Sequence, residues 1–267
     1  MLRIGFSATY GFASILDAVS FAKEHGFNAA EINLNMPEFY PDRYGKPDRK
    51  HIRDKLDDEG FTLTFHAPED INLSTKQELI EDASLEILKR SIDFAHDLGA
   101  KRFTFHIGDS VNFTMFDGSV RLEEYYENEY TQILKDAMSK LLAFSGDKIV
   151  LCAENTGFFG GAKKNAIKSL LGSGLYLTWD LGHSYIKKNQ MDFMLQNISY
   201  IRNMHLHDVK GGKDHSIIGS GEIDFPYYIS KLHNMDVIYV IEVRPKEAAY
   251  KSLLGLKSIM ENNGNEV

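Results

Sequence analysis

The sequence predicts a single-domain (β/α)8 barrel over residues 1–267, an α/β fold with eight parallel strands, and three observations lead there. Short β-branched and aromatic runs alternate with longer segments of helical period, the pattern of βα units around a parallel sheet. No Pro/Ser-rich linker, charge block or composition shift divides the chain. The length of 267 residues fits α/β barrels, which reach about 250 residues as one unit.

In chain order the strands are read at Leu2 to Ser7, Ala29 to Leu34, Thr62 to His66, Arg102 to His106, Lys148 to Glu154, Leu175 to Asp180, Asn203 to Asp208 and Val237 to Glu242. A helix candidate follows each. Ser14 to His25 carries Ile15, Ala18, Val19 and Ala22 on one face and ends at Gly26, a C-cap signal. Lys76 to Leu98 repeats Leu79, Ala83, Ile87, Ser91, Phe94 and Leu98 before Gly99, and that stripe is expected to cover the sheet. In the loops after strands two and four, most of Phe39, Tyr40, Tyr44, Phe113 and Phe116 are expected to pack against the barrel.

Composition narrows the class. With 43% hydrophobic and 25% charged residues the chain has a core to build and is not disordered. Cys152 is the lone cysteine, so there is no internal disulfide, and a reducing cytoplasm is expected. The start has a single early Arg3 and no apolar h-region, so no export signal is expected. The longest apolar stretch, Val237 to Ile241, falls far short of the ~20 residues that span a bilayer. A formal net charge of −8 disfavours general attraction to phosphate backbones.

In such a barrel the working side chains sit at the C-terminal ends of the strands. Strand three ends in His66, strand four in His106, strand five in Glu154 and strand six in Asp180, with His183 just beyond. Strand seven carries His205 and His207, strand eight ends in Glu242, and the loop after strand seven adds Lys213, Asp214 and His215. Six successive strands thus deliver imidazole or carboxylate to one rim. These are the ligand types of Zn²⁺ or Mn²⁺, and gathering them without a cation would be costly, so a divalent metal centre is expected. His205 and His207 share parity, and spacing alone leaves either as the ligand. Glu31, near the end of strand two, is open between a rim hydrogen-bonding role and an internal ion pair. His25, His51, His96 and His233 fall on predicted helices or their ends and are read as solvated or capping. Trp179 is expected to pack behind the sheet.

The ordered motifs FHAPEDINL, FHIG, AENT, WDLGH, MHLHDVKG, HSIIGSGEIDF and VIEVRP resemble the xylose-isomerase-like TIM-barrel superfamily, most clearly from His66 to Glu242. That superfamily includes a sugar-phosphate isomerase/epimerase group and the endonuclease IV family of apurinic-site nucleases. The resemblance to the first group implies one divalent ion, Zn or Mn, held by Glu154, Asp180, His205 and Glu242, which selects His205 over His207. It also implies proton transfer by Glu154 and Glu242 through an enediolate, on a small carbohydrate. The endonuclease IV resemblance implies up to three zinc ions, the first on His66, His106 and Glu154, and the third using His183 and His215. The carboxylate expected two residues before His215 is Lys213 here, with Asp214 shifted by one, which argues against that third ion. Glu69 and Asp70 after His66 would repel DNA phosphate, so nucleic acid ranks behind a carbohydrate partner, and no membrane partner is expected. His66, His106, His183 and His215 are therefore assigned either further metal or substrate. Asn155 is expected to orient Glu154 through a hydrogen bond, and Lys213 to be a handle for an anionic substrate group or a solvated lysine.

Overall fold

The computed structural model describes residues 2–264. Eight strands, β1 (Arg3–Ala8), β2 (Ala29–Asn33), β3 (Thr62–His66), β4 (Arg102–Phe105), β5 (Val150–Glu154), β6 (Leu175–Asp180), β7 (Ile201–Leu206) and β8 (Ile238–Ile241), pair in parallel and close on themselves, β8 lying against β1. Strands three and six match the sequence reading at both ends, and the others shift by one or two residues at one or both ends. Such limits move because the last pair of ladder hydrogen bonds decides them. His106 and Glu242 consequently lie one residue past their strands, and Asp208 begins a separate hairpin, Asp208–Lys210 against Lys213–Ser216. A second hairpin, Asn112–Met115 against Gly118–Arg121, follows β4.

Alternation along each strand sorts the side chains into two cores. Outward residues such as Phe6, Phe65, Phe103 and Trp179 are buried under the helices. Phe65 meets Phe94 of helix Glu78–Asp97 edge-on at 5.6 Å. Trp179 packs behind the sheet as expected, donating its indole N–H to Ser184 Oγ at 3.0 Å. Inside the barrel, Ala29, Ile238 and Val240 form a small apolar cluster of their own. Above them lies a polar layer of Glu31, Thr64, Thr104, Thr178 and Asn203, all fully buried.

The first helix, Ile15–Glu24, has Ser14 as N-cap, its hydroxyl accepting from Asp17 N, and buries the four expected residues. The third long helix corrects the expected face. Ser84, Leu85, Leu88, Ser91, Ile92, Phe94 and Ala95 are buried, whereas Leu79 is 85% exposed and Ile87 is half-exposed. Two apolar stripes of helical spacing coexist on that helix, and the wider one, which holds Leu85, Leu88 and Ile92, turns to the barrel. Among the loop aromatics, Phe39 is buried and Tyr44 packs on Phe94. Tyr40, Phe113 and Phe116 are exposed, contrary to the expectation for most of the five; the last two ride on the short hairpin after β4, whose first strand is exposed throughout. No helix among the described residues is long and apolar enough to cross a membrane.

Candidate metal centre

Closure of the barrel carries residues far apart in the chain to one mouth. Glu154, Asp180, His205 and Glu242 each place a ligand atom within 4.8 Å of the others, and all four are buried. His205 Nδ1 lies 3.3 Å from Glu154 Oε1 and 3.2 Å from Glu242 Oε2. Yet this buried nitrogen has no hydrogen-bond partner. An orphaned imidazole nitrogen between carboxylates, each offering an oxygen, is the donor set of a divalent cation, so these four residues fit one.

The second oxygen of Glu154 is also committed. His66 Nε2 and His106 Nε2 lie 3.2 and 3.1 Å from Oε2, so His66, His106 and Glu154 form a second group of suitable donors that shares Glu154 with the first. A third group is His183, His207 and His215. His207 is the residue that the sequence reading passed over. Its parity with His205 was visible, but which face of the mouth it served depended on the hairpin beyond β7. Asp214, despite its shifted position, brings its carboxylate to 3.3 Å from His215 Nδ1 and 3.7 Å from His183 Nε2. Lys213 is exposed at the hairpin.

Asn155 does not bond the Glu154 side chain. Its amide donates to the Asp180 carbonyl at 3.0 Å and accepts from Asp180 N at 2.8 Å, so it clamps the end of β6. Glu154 points inward, so alternation turns Asn155 to the outer face, where its amide also donates to Ser184 Oγ and Gln190 Oε1 at 3.0 Å. Arg244, two residues past Glu242, donates to Glu242 Oε1 at 2.7 Å. Nothing in the spacing of strand eight had marked this arginine.

Glu31 resolves to the internal role. Its Oε1 stands 2.9 Å from His205 Nε2, and its Oε2 accepts from Asn203 Nδ2 at 2.9 Å. A carboxylate behind a ligating histidine fixes the ring and strengthens it as a donor, and loss of such a partner typically costs ~10–100-fold in metal affinity. Glu31→Gln is therefore expected to weaken Zn²⁺ binding by about that factor. Competition with a chromophoric chelator measures it, and equal affinity would remove Glu31 from the site.

The charges are strongly interdependent. Burial works against a charged His66, but the hydrogen bond and charge of Glu154 outweigh it and push the imidazole from 6.5 up to about 9. Burial likewise opposes charge on His205, and Glu31, Glu154 and Glu242 together hold it well above the usual range. Glu154 and Asp180 move the other way. Burial would raise each, but His205 and His106 hold Glu154 well down, and His207 and His183 lower Asp180.

For metal-free protein this has a definite sign. A raised His66 contributes stability that is fully present below 6.5 and lost as pH climbs through about 9. Thermal melts in chelator are expected to fall progressively across that window, and to level off when Zn²⁺ replaces the protons. A flat profile in chelator would contradict the pairing.

Residues 19–259 match the sequence model of a family described as xylose isomerase-like TIM barrel. An uncharacterized protein of Methanocaldococcus jannaschii is 29% identical over 192 residues, which cover 68% of this chain and 70% of the relative. A solved structure of a D-tagatose 3-epimerase-like protein superposes with TM-score 0.81 at 23% identity, covering 98% of each chain. Endonuclease IV from Thermus thermophilus superposes with TM-score 0.71 at 19% identity, covering 97% of this chain and 99% of that one. At these identities the structural likeness is one of fold.

Proposed function

This chain belongs to the xylose isomerase-like TIM-barrel family, and from that premise we propose that it is a divalent-metal-dependent isomerase or epimerase of a sugar or sugar phosphate. The observation that carries the reading is the convergence of Glu154 Oε1 and Glu242 Oε2 on the orphaned His205 Nδ1. Glu154, Asp180, His205 and Glu242 hold one ion, Zn or Mn by ligand chemistry. When bound, the ion supplies Lewis acidity where negative charge develops on the carbonyl oxygen.

The chain's own residues supply the rest. One of Glu154 and Glu242 removes the proton from the carbon beside the carbonyl, and the other, or the same one, returns it through the enediolate. His66 and His106 grip one oxygen of Glu154, and Arg244 grips one oxygen of Glu242, so each carboxylate keeps its second oxygen turned to the mouth. Ser7 Oγ and Asn33 Nδ2, buried at the ends of β1 and β2, have no hydrogen-bond partner. Both share the inward face of Glu31, Ser7 through its register and Asn33 through its parity. Neutral groups of this kind suit sugar hydroxyls.

The test is deuterium incorporation. Ketoses, aldoses and their phosphates incubated with the Mn²⁺- or Zn²⁺-loaded protein in D₂O are expected to gain deuterium beside the carbonyl for at least one substrate. No exchange across the panel would overturn the reading.

A second reading, zinc-dependent cleavage of phosphodiesters at abasic DNA sites, is favoured by one observation: Glu154 is shared by two donor groups, as a bridging carboxylate would be. It ranks second because Glu69 stands exposed at the rim, latched to Asn35 by two 2.9 Å hydrogen bonds, where it would meet phosphate. Robust incision of an abasic oligonucleotide with Zn²⁺ would reverse the order.

A further inference from the structure

We propose that His207 is a positioning residue: the backbone N–H of His215 holds it as the Nε2–H tautomer, and the ring then donates to the Asp180 carboxylate and fixes it for the cation. This rests on the metal-site reading above. His207 Nδ1 accepts the His215 N–H at 2.8 Å. A ring nitrogen that accepts carries no proton, so in the neutral ring the proton sits on Nε2. Nε2 lies 3.0 and 3.1 Å from Asp180 Oδ1 and Oδ2. With both nitrogens engaged, His207 has no lone pair for an ion, and the cluster of His183, His207 and His215 is a support for Asp180 rather than a three-nitrogen metal site.

The hairpin beyond β7 is built to deliver that N–H. Among the described residues, His215 is the one non-glycine with positive φ, 52°. This left-handed conformation accompanies an N–H directed at the His207 ring, and the His215 ring stacks on His207 at 4.0 Å with 14° between planes. Asp208 anchors the hairpin, its buried carboxylate accepting from the N–H groups of Val209, Gly219, Gly221 and Ile223. Across the mouth, Gly182 leaves the space the ring occupies, since a Cβ there would overlap His207. Asp180 is thereby held twice, its Oδ1 also accepting from His183 N at 2.7 Å.

Two measurements test this. Two-bond ¹H–¹⁵N correlation on the metal-free wild-type protein at neutral pH is expected to find a single His207 proton, on Nε2. A proton on Nδ1, or on both nitrogens, overturns the proposal. Co²⁺ then serves as the probe for wild type, His207→Phe, His207→Gln and His215→Gly. Glycine keeps the N–H and adopts positive φ freely, so His215→Gly is expected to bind the same number of Co²⁺ ions with affinity within about twofold. His207→Phe is expected to lose about 10–100-fold in affinity with an altered Co²⁺ absorption spectrum, and His207→Gln, which still donates, to recover part of it.

Loss of one Co²⁺ per chain in His215→Gly would make the ring a ligand and overturn the proposal, as would unchanged affinity and spectrum in His207→Phe. Should His207→Phe fail to fold, the proton placement and His215→Gly still decide. Absence of Co²⁺ binding by the wild type overturns the metal-centre reading, and is told apart because the proton placement is read without metal.

Discussion

Glu154→Gln and Glu242→Gln are each expected to lower turnover by about 10³-fold or more, the upper range for removal of a general acid–base group. Glutamine matches glutamate in size but has no basic oxygen, so packing survives while proton transfer does not. The two variants should differ in a second respect. Glu154 Oε2 pairs with His66 and His106 and Oε1 faces His205, so its replacement disturbs those imidazoles as well as the proposed ion. Glu242 lies nearer the surface and is held by Arg244. Glu154→Gln is therefore expected to lose metal and melt earlier, while Glu242→Gln keeps more of the ion and loses mainly exchange into D₂O. Full activity in either variant rejects a two-glutamate shuttle.

Removing the cation is expected to have the largest effect on stability. Glu31, Glu154, Asp180 and Glu242 place four carboxylates in or beside the barrel interior, and among the described residues their ion-pair partners are histidines and Arg244. An ion at about 1,000 times its Kd stabilises by about 4 kcal/mol. In a domain of about this size each kcal/mol moves Tm by about 2–4 °C. Chelation should therefore lower Tm by about 8–16 °C, and stoichiometric Zn²⁺ or Mn²⁺ should restore it. Calorimetry with elemental analysis of the same sample measures both sides, and an unchanged Tm on removal of bound metal would mean the cluster is balanced by its own hydrogen bonds.

The two variants and the chelation experiment are linked through the alkaline melt. If the proton on His66 stands in for the ion, the Tm gained from Zn²⁺ should grow as pH rises from 6.5 through about 9, the range over which that raised imidazole releases its proton.

Much of this centre was legible in the amino-acid order. Alternation of short apolar runs with helical segments is a local property, and so are a Ser14 cap and a Gly26 stop. A polar residue at the close of a strand is equally local, and in a closed parallel barrel that position is the mouth. This is why His66, Glu154, Asp180 and Glu242 could be named before any contact was known. Contacts themselves are not local. Glu31 and Asn203 bond across 172 residues of chain, and only barrel closure makes them neighbours. Which nitrogen of His205 faces the Glu154 and Glu242 carboxylates, why Asn155 holds Asp180 instead of Glu154, and how a backbone N–H at His215 meets the His207 ring all follow from rotamers and hydrogen-bond directions within a packed interior. The same holds for the helix whose Leu85 stripe displaced Leu79 and Ile87, since a sequence carrying two apolar faces leaves the choice to the surface that receives it. Periodicity settled which side chains turn toward the barrel axis; three-dimensional packing decided which atom each of them meets there.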